Sequence, residues 1–570
     1  MATASHPPSA GPAGPPIDPA VPPAASAEPH PGGSLERLAA RLPAPFAILA
    51  GAILLRLIGG VGFANYDTLY ALVWGGQLAR GTDPQYGIPI APTPHPLVEA
   101  LGFVLSPLPP RAIESVTVAL GFLALAACAW AVYRLGALWF NRAAGAVAAL
   151  LLITRVPILS YGVRAYVDLP YLLAILAALV VETRRPRAGA PVLALLALAG
   201  LLRPEAWVFS GLYWLYIALA GRVAAPRIWV KLAAGGDTQA ATSTVAGRDA
   251  AQWRGAAAEH SSAARQGAGP PQSTNQAGGE RPEPRTPRQL ARLALLALAA
   301  PLVWVGSDWL VTGDPMWSLI NTRHTAVTLG RETGLAKVPE YIPRRIGEVL
   351  GPAALAGAVL GGVLAVLWLR RRALPGALVG LLAVVVLAVF ATAGLPIDTR
   401  YVFVPAALLC VFCGASLAGW TLLAPSDPRR RWWAAGAALV ALALLITAPS
   451  QYRVDHKELD ELGVQQRIQN DLVALVHSGA LGTTCEPIGV PNHAPIPLLA
   501  LYLEADPSQI PSAQAATRPL AHGSYLQPAT GEVQRHYILD LSERARPVRV
   551  PPGFAPTAAN RSWRVYQRCL

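Results

Sequence analysis

The sequence predicts an all-α polytopic membrane protein of about eleven transmembrane helices, closed by a small C-terminal extracytoplasmic α/β domain. Three observations predict it. Of 570 residues 53% are hydrophobic and only 14% are charged. Mean hydropathy is positive, at +0.39. Apolar runs of roughly 18–25 residues, the length that crosses a hydrocarbon core, recur along the chain. A soluble chain of this size would instead carry a charged surface. The net charge of +13 is read as topological, because Lys and Arg gather in cytoplasmic loops. No basic stripe or known module points to nucleic acid as a partner.

Residues 1–42 are rich in Pro, Ala and Gly and read as a disordered cytoplasmic N-terminus without a signal peptide. Residues 43–220 read as an N-terminal transmembrane module, with spans near 43–63, 112–133, 143–160, 168–182, 190–203 and 206–220. Residues 221–289 have no apolar period and read as a disordered cytoplasmic loop without chemistry. Residues 290–448 read as a second module, with spans near 291–312, 347–369, 374–394, 401–421 and 432–448.

Orientation follows from the basic residues beside the spans. Arg37 and Arg41, Arg134 and Arg142, Arg184 with Arg185 and Arg187, Arg370–Arg372 and Arg429–Arg431 all fall on one side if the crossings alternate. The N-terminus is then cytoplasmic and residues 449–570 lie outside. In that last segment Asp455 to His477 has helical spacing. Pro487–Val490, Tyr537–Leu539 and Trp563–Tyr566 read as short strands. Cys485 and Cys569 are candidates for a disulfide there, whereas Cys128, Cys410 and Cys413 lie in apolar runs and read as packing residues.

This topology gathers ionisable residues at the outer face. The first outer loop, 64–111, carries Tyr66, Asp67, Tyr70, Asp83 and His95. The second carries Arg164 and Asp168, and the third is a tight turn with Arg203 and Glu205. The fourth carries Asp314, Arg323 and His324, and the fifth carries Arg400 and Tyr401. Charged groups at span ends are costly unless paired or wet, so they point to a shared cavity. Arginine's fixed fork suits a phosphate, and a carboxylate beside it can take a proton from a hydroxyl. Each residue also has a plainer reading. Asp168 fits an N-cap, Arg203 and Glu205 a structural ion pair, Arg400 a snorkelling side chain, and Arg323 and His324 solvated loop positions.

Across roughly residues 43–450 the pattern resembles the GT-C superfamily of polytopic glycosyltransferases, including its ArnT, protein O-mannosyltransferase and RgtA-like branches. The resemblance rests on Tyr66-Asp67 soon after the first span, with Tyr70 one turn on, and on Arg164-x3-Asp168-x-Pro170. It rests further on Gly200-Leu-Leu-Arg203-Pro204-Glu205, Gly313-Asp314-Pro315 and Arg400-Tyr401-x3-Pro405.

The resemblance implies an enzyme that moves a sugar from a polyprenyl-phosphate donor to an extracytoplasmic acceptor glycan, lipid or protein. It implies Asp67 as the catalytic residue. Tyr66, Tyr70, His95, Arg164, Asp168, Arg203, Glu205, Arg323, His324, Arg400 and Tyr401 are the substrate-binding candidates. Many members need a divalent metal such as Mg or Mn. Here the family's doubled acidic pair is missing, because Thr68 follows Asp67, and one carboxylate is a poor cage for such an ion. The Ala, Arg, Gly and Pro content points to a GC-rich bacterial genome, and so to a bacterial plasma membrane and its lipid bilayer as the setting. The competing class is a transporter or flippase, for which no internal repeat is visible. A non-catalytic scaffold is a third reading.

Overall fold

Each apolar run read from the sequence forms a helix in the computed structural model, which describes residues 44–219, 285–482, 484–516, 518–537 and 549–569. The first 42 residues and nearly all of 221–289 lie outside those described. The second boundary shifts, because Thr286 and Gln289 form a reciprocal capping box at the start of a helix, which takes two orphan donors.

The first half contains α1 (Ala44–Gly59), α2 (Tyr66–Ala79), α3 (Pro96–Leu105), α4 (Pro110–Trp139), α5 (Arg142–Ile153), α6 (Val156–Val163), α7 (Asp168–Arg184), α8 (Ala190–Leu202) and α9 (Glu205–Leu219). The second contains α10 (Pro287–Thr312), α11 (Trp317–Thr328), α12 (Val338–Leu350), α13 (Pro352–Trp368), α14 (Arg370–Thr392), α15 (Phe403–Ala418) and α16 (Pro428–His477).

Among the described residues five helical segments are long and apolar enough to cross a membrane: α4, α10, α14, Thr399–Leu422 around α15, and α16. Two bent pairs raise the number to as many as seven: α5 with α6, bent by 65°, and Leu335–Leu350 with α13, bent by 107°. The expectation of about eleven counted every apolar run as a crossing. Helices α1, α7, α8 and α9 have 13 to 17 residues. At about 1.5 Å per residue they fall short of a core roughly 30 Å thick.

The long helices expose apolar faces, including Leu295, Leu298 and Leu302 on α10, Leu378 and Leu381 on α14, and Leu439 and Leu442 on α16. Apolar surface of that extent is out of place in water and suits hydrocarbon. Helix α15 is the reverse, buried almost throughout. It is approached by backbones that only glycine allows. A Cβ on Gly361 would sit 2.0 Å from the Phe412 carbonyl oxygen, and one on Gly414 would sit 2.1 Å from that of Ala144. Such small-residue contacts let helices pack without a hydrophobic drive between them.

At one end of this layer Asn141 Nδ2 donates to the carbonyl of Ala418 and to Thr421 Oγ1, and Arg372 Nη1 donates to the Phe140 carbonyl. The turns that carry Arg142 and Arg372 are thereby joined. Asp67 and its neighbours occupy the opposite ends of their helices.

Residues 64–111, read as a loop, instead hold α2 and α3. These cross so closely that a Cβ on Gly75 would lie 2.1 Å from the Glu99 carbonyl. The expected boundary at 448/449 also falls inside a helix. The last span and the helix expected over 455–477 are one rod of 50 residues, continuous through Pro449. Beyond it lie α17 (Ile496–Leu503), α18 (Gly531–Tyr537) and a four-stranded sheet. Its order is β1 (Ile488–Gly489), β2 (Gly523–Pro528), β4 (Trp563–Arg568) and β3 (Ala555–Ala559). β1 and β2 are parallel and the other pairings are antiparallel.

Tyr537 ends a helix rather than opening a strand, and Ile538 and Leu539 lie outside the described residues. Cys485 and Cys569 form a disulfide, while Cys128, Cys410 and Cys413 are buried free thiols. The buried Trp563 donates its indole N–H to the Ile468 carbonyl, pinning the sheet to α16. Gln77 Nε2 donates to Asp506 Oδ1 at 2.7 Å, and the Ser508 amide donates to Gln85 Oε1 at 2.9 Å. The C-terminal domain thus sits on α2.

Candidate active site

Asp67 owes its place to Asn65, the N-cap of α2. Asn65 Oδ1 accepts the amides of Asp67 and Thr68, which satisfies two orphan donors. Its Nδ2 donates to the Arg164 carbonyl at 3.0 Å, and Thr68 Oγ1 donates to the Ala165 carbonyl at 2.8 Å. Ala165 has φ +50°, so the turn that receives these bonds is itself specialised. The sequence reading missed Asn65 and Thr68. Their signal was available as Asn-x-x-Thr at the head of an apolar helix.

Arg400 Nη1 donates to Asp67 Oδ2 at 2.8 Å, across 333 residues of chain. Burial pushes the Asp67 carboxyl up, but the Arg400 charge and hydrogen bond outweigh it and hold the group below the usual carboxylate range. Arg203 anchors a second cluster. Its Nη1 donates to Asp168 Oδ1, and its Nη2 donates to Glu205 Oε1 at 2.5 Å. Tyr401 joins the two clusters. Its ring lies under the Arg203 guanidinium carbon at 4.2 Å and the Arg400 carbon at 5.5 Å. Asp168 Oδ2 is buried and has no hydrogen-bond partner among the described residues.

His95 lies against the Arg203 turn and within electrostatic reach of Asp67, Asp168 and Arg400. Its Nδ1 lies 2.8 Å from the carbonyl of Leu202, the residue before Arg203. Glu99, one turn further on, accepts the His95 amide and the Tyr86 hydroxyl. Burial raises its carboxyl to about 7.

The remaining candidates divide. Tyr66 donates its hydroxyl to the Ile90 carbonyl and stacks edge-on against Tyr70 and His493. Tyr70 is fully buried in an aromatic column with Trp74. Arg164 is spent on Ser160 and on the rings of Tyr161 and Tyr166. Arg323 and His324 are exposed on α11 and make no hydrogen bond or ion pair with either cluster.

The donor set does not fit a divalent metal. Among the described residues no three His, Cys, Asp or Glu side chains come together as a cage. One carboxylate oxygen of Asp67 and one of Asp168 each already hold an arginine. Positive charge at the carboxylate is supplied by Arg400.

An apolar groove of about 570 Å³ opens between α13, α14 and α15. Its lining includes Ile346, next to Arg345, and Pro405, five residues past Arg400.

No family model matches the sequence, and no curated protein matches it. Among solved structures the chain is similar to the archaeal oligosaccharyltransferase AglB from Archaeoglobus fulgidus, in complex with an inhibitory peptide and a dolichol-phosphate. That likeness has 14% identity and a TM-score of 0.39, and it covers 82% of this chain and 64% of that one. The apo form of the Archaeoglobus fulgidus oligosaccharyltransferase gives 13% identity and a TM-score of 0.41, covering 85% and 70%. The chain therefore spans 64% of the length of the first of these proteins.

Proposed function

We propose that the chain is a GT-C-type membrane glycosyltransferase, which moves a sugar from a polyprenyl-phosphate-linked donor to an extracytoplasmic acceptor. The observation that carries this reading is the Asp67–Arg400 pair at the helix ends; a groove with an almost wholly apolar lining reaches Pro405, on the helix that follows Arg400. A polyprenyl chain suits such a groove, and its phosphate suits arginine's fork. Arg400 takes the phosphate, and Asp67 accepts a hydrogen bond from the acceptor hydroxyl. Developing charge on the leaving phosphate is met by a fixed guanidinium rather than by reorganising water.

On this reading the N-terminus is cytoplasmic, and the active face and residues 449–570 are outside, in a bacterial plasma membrane. The test is transfer of radiolabelled sugar by the purified full chain in lipid nanodiscs, supplied with polyprenyl-phosphate sugars and extracted envelope acceptors. Donor-dependent transfer is expected. Absence of transfer, together with donor flipping in proteoliposomes, would replace the reading with a transporter.

A further inference from the structure

We propose that His95 Nε2 is the proton acceptor of the transfer step, with Asp67 orienting the acceptor hydroxyl toward it. The inference rests on the transferase reading and assigns a base to it. A carbonyl oxygen can only accept a hydrogen bond, so the 2.8 Å contact with Leu202 makes Nδ1 the protonated nitrogen. In the neutral ring Nε2 then carries the lone pair. Nε2 has no hydrogen bond among the described residues. The ring is held on its other sides as well. Its own amide is tied to Glu99 Oε1 at 3.2 Å, and its edge meets Trp304 at a centroid distance of 6.2 Å. A base whose tautomer and orientation are fixed by a backbone acceptor is a recurrent catalytic device.

The charges around the ring suit the step. Asp67 and Asp168 favour the imidazolium, whereas burial and Arg400 favour the neutral ring. Burial is the largest influence, so His95 is held neutral below the ordinary imidazole midpoint of about 6.5. It is thus ready to accept a proton near neutral pH. Asp67 is the poorer base, since Arg400 holds its carboxyl low. In the step the acceptor oxygen bonds to the anomeric carbon. The bond from that carbon to the phosphate oxygen breaks, and its electron pair leaves with the phosphate. The hydroxyl proton passes to Nε2, where the Asp67 and Asp168 carboxylates stabilise the new charge.

The test uses the full chain in nanodiscs at saturating polyprenyl-phosphate sugar. His95→Gln is expected to lower kcat by about 100- to 10,000-fold and to leave the donor Kd within about threefold. Wild-type kcat should fall on the acid side with a midpoint below about 6.5, as His95 protonates. That acid limb should vanish from the residual activity of His95→Gln, and added imidazole should partly rescue His95→Ala.

Turnover of His95→Gln near wild type would overturn the proposal while leaving the transferase reading intact. So would a loss of turnover in which the acid limb persists and imidazole does nothing, because His95 would then only hold the Leu202 turn. A wild-type chain that transfers no sugar from any donor removes the transferase reading, and this base with it.

Discussion

Two arginines at the same end of the helices are used in opposite ways. Arg203 spends its fork on two carboxylates, with its own side chain 6% exposed and Asp168 1% exposed. It also lies over the rings of Tyr171 and Tyr401. Little of it remains for a ligand. Arg400 makes one close bond to Asp67, and both side chains are 17–18% exposed. Its other carboxylate neighbour, Asp398, stands off at 3.9 Å. A closed cluster holds structure in place, and a more open pair can exchange partners. The resemblance implied both arginines as substrate-binding, beside the plainer reading of Arg203 and Glu205 as a structural ion pair. The structure separates a closed arginine with two carboxylate partners from a more exposed one with a single close partner.

The largest expected effect is on chemistry alone. Asp67→Asn should lower turnover by about 100-fold or more, the cost of a misplaced acceptor hydroxyl, while the protein stays monodisperse and binds its lipid donor. Turnover within about threefold of wild type at saturating donor would show that the open pair is no more reactive than the closed one. Arg203→Ala should act instead on folding. It strands Asp168 and Glu205, and breaking a buried pair costs about 3–5 kcal/mol. Thermal unfolding in detergent reads this, and an unchanged midpoint would make Arg203 a ligand contact after all.

A smaller effect is expected from Arg400→Ala, which should weaken donor binding by about 10- to 100-fold, the range of a charge-assisted hydrogen bond. Lysine should restore charge but not the fork, so Arg400→Lys should fall between in a donor titration. The smallest effect should come from replacing residues 221–284 with a short Gly/Ser linker. Closure entropy changes little with the length of a connection, and transfer should stay within about twofold.

Much of the architecture was legible because apolar length is written directly in the chain. Each run from Ala44 to His477 that the sequence marks is helical. What was not legible depends on long-range pairing. The roles of Arg203 and Arg400 differ through partners, not through neighbours in sequence. The Asp67–Arg400 contact joins positions 333 residues apart, and no local pattern encodes it. Tyr66-x3-Tyr70-x3-Trp74 could line a site or a core with equal periodicity, and only packing shows that Tyr70 faces inward. Strand β2, Gly523–Pro528, has four successive buried residues. It lacks the alternation that marks a half-buried strand, so it emerged only with its partners β1 and β4.

Helix α16 has a consequence for reach. Fifty residues at about 1.5 Å each make a rod of roughly 75 Å, more than twice the thickness of a hydrocarbon core. The same rod carries Arg429–Arg431 in its first turn, and near its other end Trp563 of the sheet bonds the Ile468 carbonyl. It works as a ruler, since its length sets how far the C-terminal domain stands from the opposite membrane face. Gln77 and Gln85 tie that domain to the helix bearing Asp67 and to the turn after it. The domain is therefore held at one height relative to Asp67.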